Sequence, residues 1–191
     1  GVRIPTFVRT ARQLELAANR WNLLVSSFNI QTTDRVLIAG CAFGWTIEAA
    51  HDAGFPNVWG IDNSPFIDTG SPTHSRGDVV FVRDNFTGGW RIRAAFRNTN
   101  GDDEFRWVMS ESVLESYDDG EIPALLNAAE SVLEAGQPLS NIIHMVHCLD
   151  ETVDPPGRNQ DPVFNWKTLE QWNAIRPSHS WVRLNNGWAV L

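Results

Sequence analysis

The chain is poor in cysteine, since only Cys41 and Cys148 occur among its 191 residues. Two cysteines so far apart give neither a disulfide framework nor the paired spacing of a zinc site. The histidines add no such spacing, because His144 and His147 lie on a strand-like run, where residues three apart face opposite sides. We therefore expect no metal site.

The sequence also lacks long apolar runs and an excess of positive charge. No run approaches the roughly 18 residues that a membrane helix needs, and residues 1–5 have no signal-peptide core. The 15 basic residues against 23 acidic ones leave a net charge of −8, which disfavours tight nonspecific binding to a phosphate backbone. With 42% hydrophobic residues for a core, we expect a soluble, cytoplasmic protein.

Short apolar runs alternate with helical patterns along the chain. The predicted strands lie within 34–40, 57–62, 79–82, 105–109 and 141–146. The predicted helices cover 5–28, 45–53, 122–135 and 166–175. This alternation is typical of a doubly wound, mostly parallel α/β sheet. Two last runs, 181–184 and 188–191, flank Asn185-Asn186-Gly187 and predict a C-terminal antiparallel hairpin.

The N-terminal segment has two interpretations. Its apolar residues recur at helical spacing over 5–28, and residues 1–33 hold four arginines, Arg3, Arg9, Arg12 and Arg20, against one acid. As a lid, the helix would offer these arginines to an acidic acceptor or to a ligand carboxylate. As a cover for the sheet, it would leave them in water. We expect one domain over 1–191, with this lid or cover at 1–30, a core at 31–150 and a closing segment at 151–191.

Ligand-binding residues are expected at the carboxyl ends of the strands, where doubly wound sheets bind ligands. The first strand runs into Ala39-Gly40-Cys41-Ala42-Phe43-Gly44, a turn whose glycines allow the backbone to approach a ligand closely. The second strand ends at Asp62, 22 residues after Gly40. A carboxylate there can accept hydrogen bonds from both ribose hydroxyls, although Asp62 can also cap the turn that starts at Asn63.

Polar residues follow the later strands too. Asp84 and Asn85, after the third strand, suit an adenine amino group and equally suit a turn. Ser110 and Glu111, after the fourth strand, would face the reactive end of a ligand. His147 stands where a general base could act, although a structural histidine is common at a strand end. No catalytic residue is assigned from the sequence.

Taken together, these segments resemble the motifs of class I methyltransferases that depend on S-adenosylmethionine (SAM). The run 36–44 resembles their first motif, 58–65 their second, 107–115 the stretch before the helix of strand four, and 125–136 the helix before strand five. The resemblance implies a Rossmann-like fold, SAM as cofactor, and methyl transfer to a small molecule or a protein side chain. It implies SAM-binding roles for Ala39, Gly40, Cys41, Ala42, Phe43, Gly44, Asp62, Asn63, Asp84, Asn85, Ser110 and Glu111.

The chain departs from the first motif at two positions. Ile38 stands where the family usually has an acid that helps to hold the methionine end of SAM, and Ala42 stands where it has a glycine. A second hypothesis follows, a non-catalytic Rossmann-like module used for assembly or scaffolding. The acceptor is not identified, because the methyl group of a sulfonium is already activated and its transfer requires alignment rather than a nucleophile and a base.

Overall fold

The computed structural model of the chain describes residues 11–63, 80–83, 86, 93, 96–97, 104–149, 167–175, 182–183 and 188–190. Helices and strands alternate through most of these ranges. Their bounds are α1 Ala11–Phe28, β1 Val36–Ala39, α2 Trp45–Asp52, β2 Val58–Asp62, β3 Val80–Arg83, β4 Trp107–Glu111, α3 Ile122–Ser131, β5 Ile142–Leu149, β6 Lys167–Thr168, α4 Leu169–Ile175, β7 Val182–Arg183 and β8 Trp188–Val190.

One eight-stranded sheet organises these elements. Its strand order is β3-β2-β1-β4-β5-β8-β7, and β6 pairs with the end of β5. The strands β1 to β5 are parallel, whereas β8 runs antiparallel to β5 and β7 antiparallel to β8. The predicted doubly wound, mostly parallel sheet is therefore confirmed. Strand order reverses between β1 and β4, and doubly wound sheets bind ligands at the carboxyl ends beside such a reversal.

Both faces of the sheet are covered by apolar layers. Val36 and Ile38 of β1 belong to the layer under α1 and α2, while Leu37 and Ala39 belong to the layer under α3. This division follows the two-residue period of a strand. It also explains why the parallel strands are continuously apolar rather than alternating, since a parallel sheet buries both of its faces.

Helix α1 is packed against the sheet by one face. Its buried residues, Ala17, Trp21 and Leu24, are spaced four and three apart and therefore lie on the same side of the helix. The ring of Trp21 packs edge-on against Phe55, with 5.1 Å between centroids. Burial of such side chains contributes roughly 1.5–3 kcal/mol each. None of the described helices is long and apolar enough to cross a membrane.

A buried carboxylate joins the amino ends of the two central strands. Asp34, just before β1, accepts hydrogen bonds at Oδ2 from the backbone N–H of Gln31 and from the indole Nε1 of Trp107 in β4, both at 2.9 Å. Its Oδ1 lies 3.4 Å from Nε of Arg106. These contacts hold β1 and β4 together at the edge of the sheet opposite the predicted ligand site.

Two predicted boundaries around β4 and α3 are wrong. Ser110 and Glu111 belong to β4 rather than following it, because they pair in register with β5. Helix α3 ends at Ser131, although the apolar pattern suggested Ala135. The helix ends there because the residues that follow it pair with Phe105. Leu133 forms an isolated β-bridge with Phe105, and the N–H of Phe105 donates to the carbonyl of Val132 at 2.8 Å. The chain leaves the helix in order to make this bridge.

Other predictions near the termini are changed or not covered. The helix expected over 166–175 begins only at Leu169, because Lys167 and Thr168 pair with β5 as a short strand. Strands β7 and β8 pair antiparallel. The residues between them, 184–187, lie outside the described part of the chain, so the expected hairpin stays a prediction. The first ten residues, including the expected helix start at Pro5, also lie outside it.

Candidate functional site

A cavity of about 510 Å³ opens at the carboxyl ends of β1 and β4, where the strand order reverses. One wall is helix α1, which contributes Gln13, Leu16 and Arg20. The other walls contain six of the twelve predicted site residues, namely Gly40, Cys41, Ala42, Phe43, Ser110 and Glu111. The topology therefore brings the first-motif turn and the end of β4 together around one space.

The turn after β1 has an unusual backbone. Gly40, Ala42 and Gly44 all have positive φ, at 69°, 45° and 71°. Left-handed geometry costs a residue with a side chain roughly 1–2 kcal/mol, so Ala42 holds a conformation that suits glycine. This finding gives a physical reason for the glycine that the methyltransferase motif usually has at this position.

Gly40 is required by close packing as well as by its φ. A Cβ atom at Gly40 would lie 2.1 Å from Cγ2 of Val113, in the segment that follows β4. The backbone N–H of Gly40 donates to the carbonyl of Ile61 near the end of β2, at 2.8 Å. The turn is therefore pressed against β2 on one side and against the segment after β4 on the other.

Asp62 supports the turn from the end of β2. Its Oδ2 accepts a hydrogen bond of 2.8 Å from the backbone N–H of Ala42, the residue with the strained φ. Asp62 is half-buried and does not line the cavity itself. The sequence predicted a ribose-binding role for this carboxylate, and the structure adds a role in holding the turn.

Tyr117 lies near Asp62, and no sequence motif indicated it. Burial raises the pKa of the Tyr117 hydroxyl, and the carboxylates of Asp62 and Glu121 raise it further. Tyr117 is the only tyrosine in the chain and follows β4 by six residues. Tyr117 does not line the cavity and packs against the apolar layer under α3.

An ion pair spans the cavity from α1 to β4. The guanidinium of Arg20 lies 3.0 Å from Oε1 of Glu111, with 52% and 23% of the two side chains exposed. Burial raises the pKa of Glu111, and the charge of Arg20 opposes that rise. Because half of the Arg20 side chain is exposed to solvent, the pair does not decide between the lid and the cover interpretations of α1, which both stay predictions. Arg20 faces the cavity and is paired with an acid of this chain.

Cys41 and Ser110 each have a defined environment in the cavity wall. Burial raises the pKa of the Cys41 thiol well above its usual range, and the charge of Asp62 adds to the effect. The hydroxyl of Ser110 lies 2.6 Å from Nδ1 of His144, and both residues are buried. At neutral pH Cys41 is therefore a thiol, and Ser110 is held by β5.

The remaining predicted residues lie close to this space or outside the described ranges. Ala39 is the buried last residue of β1, Gly44 directly precedes α2, and Asn63 follows β2. Asp84 and Asn85 fall outside the described residues, as does the side chain of His147. Among the residues that the structure describes, no group of three or more His, Cys, Asp or Glu is placed to hold a metal ion.

Comparison with known proteins gives structural neighbours only. No protein-family model matches the chain, and no curated protein matches it. Similar solved structures include an O-methyltransferase family protein from Burkholderia thailandensis, with a TM-score of 0.62 and 15% identity over 93% of this chain and 55% of that one. Human N-acetylserotonin methyltransferase, solved in complex with SAM, gives 0.59 and 13% over 94% and 53%.

A third neighbour is the calicheamicin-biosynthesis methyltransferase CalO1, solved with its demethylated product S-adenosylhomocysteine (SAH). Its TM-score is 0.59 at 11% identity, over 92% of this chain and 53% of that one. The chain thus spans about half the length of these three proteins. The chain has the fold of class I methyltransferases, whose sequence motifs its own segments resemble.

Proposed function

We propose that this chain binds SAM at the cavity beside the turn 40–44 and takes part in methyl transfer to a small molecule or a protein side chain. The observation that carries the proposal is the turn itself. Its left-handed backbone is braced by the Asp62 carboxylate at the strand-order reversal, beside a cavity of ligand size. The fold is one in which neighbours have been solved with SAM or SAH.

The residues present fit such a ligand in three respects. Gly40 and Gly44 have no side chains, so that the backbone of the turn could approach an adenosyl group closely at these two positions. Asp62, at the end of β2, would accept hydrogen bonds from the ribose hydroxyls. Asp84 and Asn85 would contact the adenine amino group, since they directly follow β3, which runs parallel to β2.

The protein's contribution to transfer would be positional. When bound, SAM would supply a methyl group on a positively charged sulfur. As an aligned acceptor formed its bond to the methyl carbon, the bond from sulfur to that carbon would break and SAH would leave as a neutral thioether. Ser110 and Glu111, at the end of β4, line the cavity and would face the bound ligand. Helix α1 forms the opposite wall and would exclude water from the reacting atoms.

A non-catalytic module is the second candidate, and one observation favours it. Ile38, in place of the usual acid, is only 8% exposed and forms part of the cavity wall, so the usual partner of the methionine end is missing. Such a module would keep the fold and would no longer bind SAM. Ligand binding separates the two candidates, because only the first requires it.

Calorimetric titration with SAM and SAH tests the proposal. We expect saturable binding of both ligands to the wild-type chain, and a loss of about tenfold or more in Asp62→Ala, in line with roughly 1–3 kcal/mol for a lost buried hydrogen-bond partner. Glu15→Gln on the exposed side of α1 is the matched control and should bind like the wild type. A folded wild-type protein that binds neither ligand at millimolar concentration would refute the proposal and support the non-catalytic module.

Hydrogen exchange tests the part played by α1. If the helix closes over the ligand, SAH should slow the exchange of backbone amides within 11–28, because a lid opens locally in the free protein. The amides of α3, which packs on the other face of the sheet, serve as the internal control. Equal protection of 11–28 with and without a saturating ligand would show that α1 only covers the sheet.

A further inference from the structure

The sheet places Glu111 near Ile38, the position where the methyltransferase motif usually has an acid. Ile38 of β1 pairs in register with Met109 of β4. Residues two apart on a strand face the same side, so Glu111 lies on the same face as Ile38, one strand over and one step nearer the carboxyl edge. Both residues line the same cavity. The chain therefore has a carboxylate in this part of the cavity, supplied by a different strand.

The partner of Glu111 gives the second half of the argument. Arg20 reaches it from α1 at 3.0 Å, and both side chains line the cavity. A half-buried carboxylate and a guanidinium that face one space present a negative and a positive group side by side. A zwitterionic amino acid has the complementary groups, an ammonium and a carboxylate on one carbon.

We propose that Arg20 and Glu111 together bind the amino-acid end of the ligand, with the Glu111 carboxylate accepting hydrogen bonds from its α-ammonium and the Arg20 guanidinium donating to its α-carboxylate. The inference rests on the proposed function and assigns the methionine end of SAM to residues outside the first motif. In the free protein the two side chains neutralise each other. In the complex each exchanges or shares its partner, and the charges within the site remain balanced.

The surroundings of the pair support this assignment. Ile38 and Met109 provide an apolar floor beside the charges, so a charged ligand group there gains more from a paired ion than it would in water. Burial raises the pKa of Glu111, and the charge of Arg20 opposes that rise. The pair also joins α1 to the sheet at the cavity mouth, where a ligand would insert.

The test compares SAH with 5′-methylthioadenosine, which shares its nucleoside and its sulfur and lacks the amino-acid end. We expect the wild-type protein to bind SAH more tightly than 5′-methylthioadenosine. Glu111→Gln and Arg20→Gln should each weaken SAH binding by about tenfold or more, as expected for hydrogen bonds to charged groups, and leave the affinity for 5′-methylthioadenosine unchanged. Arg12→Gln is the control for Arg20, since Arg12 is exposed on the same helix and does not line the cavity.

Each other outcome overturns the inference in an identifiable way. Parallel losses for both ligands would mean that the pair only holds α1 in place. Unchanged SAH affinity in both variants, or equal wild-type affinities for the two ligands, would remove the amino-acid site and leave SAM binding intact. Binding of neither ligand by the wild type would end the proposed function and this inference together. Because Arg20 is half exposed, its variant keeps the test decisive even if Glu111→Gln does not fold.

Discussion

The hydrogen bond between Asp62 and Ala42 makes a prediction about the free protein that needs no ligand. Asp62→Ala removes the acceptor of the 2.8 Å bond that holds the turn 40–44 in its left-handed conformation. A hydrogen bond to a charged group contributes roughly 1.5–3 kcal/mol, and the solvent exposure of this one places it near or below the lower end, at about 1–2 kcal/mol. Asp62→Asn keeps an oxygen in the same position and should lose about half as much.

Urea unfolding followed by tryptophan fluorescence measures this difference. With a slope of about 2 kcal/mol per molar urea, the midpoint should fall by roughly 0.5–1 M in Asp62→Ala, with the slope unchanged. Glu15→Ala, an exposed acid on α1, is the control and should leave the midpoint in place. If Asp62→Ala unfolds at the wild-type midpoint, the carboxylate does not hold the turn, and its role is confined to the ligand.

Two further predictions concern the same turn. Gly40→Ala should destabilise the protein more than Gly54→Ala by about 1–3 kcal/mol, because both have positive φ but only the Cβ at Gly40 overlaps Val113; equal melting temperatures would contradict the overlap. In a Cys148→Ser background, Cys41 should react with iodoacetamide more slowly than after unfolding in urea, because burial and then the charge of Asp62 raise its pKa and the thiolate is the reactive form. The rate should rise with pH and in Asp62→Asn, and a pH-independent rate equal to that of the unfolded chain would refute the assignment.

Local patterns were sufficient to predict the sheet. The apolar run before Gly40 and the run ending at Asp62 each carry the signal of a buried strand within a few residues. The parallel order then places their ends at one edge, so Gly40, Asp62 and Ser110 lie along the same edge, as expected. The residue types at those ends pointed to the ligand class.

Contacts between distant residues could not be predicted in this way. Arg20 and Glu111 are far apart in the sequence, with more than half of the core region 31–150 between them, and no local pattern pairs them. The early end of α3 depends on the backbone bridge between Phe105 and the segment after the helix. Such contacts follow from the way α1 and the loops pack on the finished sheet, so they appear only once the fold is known.

The reversal of strand order between β1 and β4 also constrains how this protein is made. All four residues of β1 are buried between β2 and β4, and the partner on one side is synthesised about 70 residues later. At ribosomal rates of about 5–20 residues per second, β1 waits roughly 4–14 seconds with an open apolar edge. A strand edge of this kind pairs readily with other chains. The nascent chain therefore has an unpaired apolar strand edge until residue 111 emerges, and slower translation through residues 64–106 would lengthen that period.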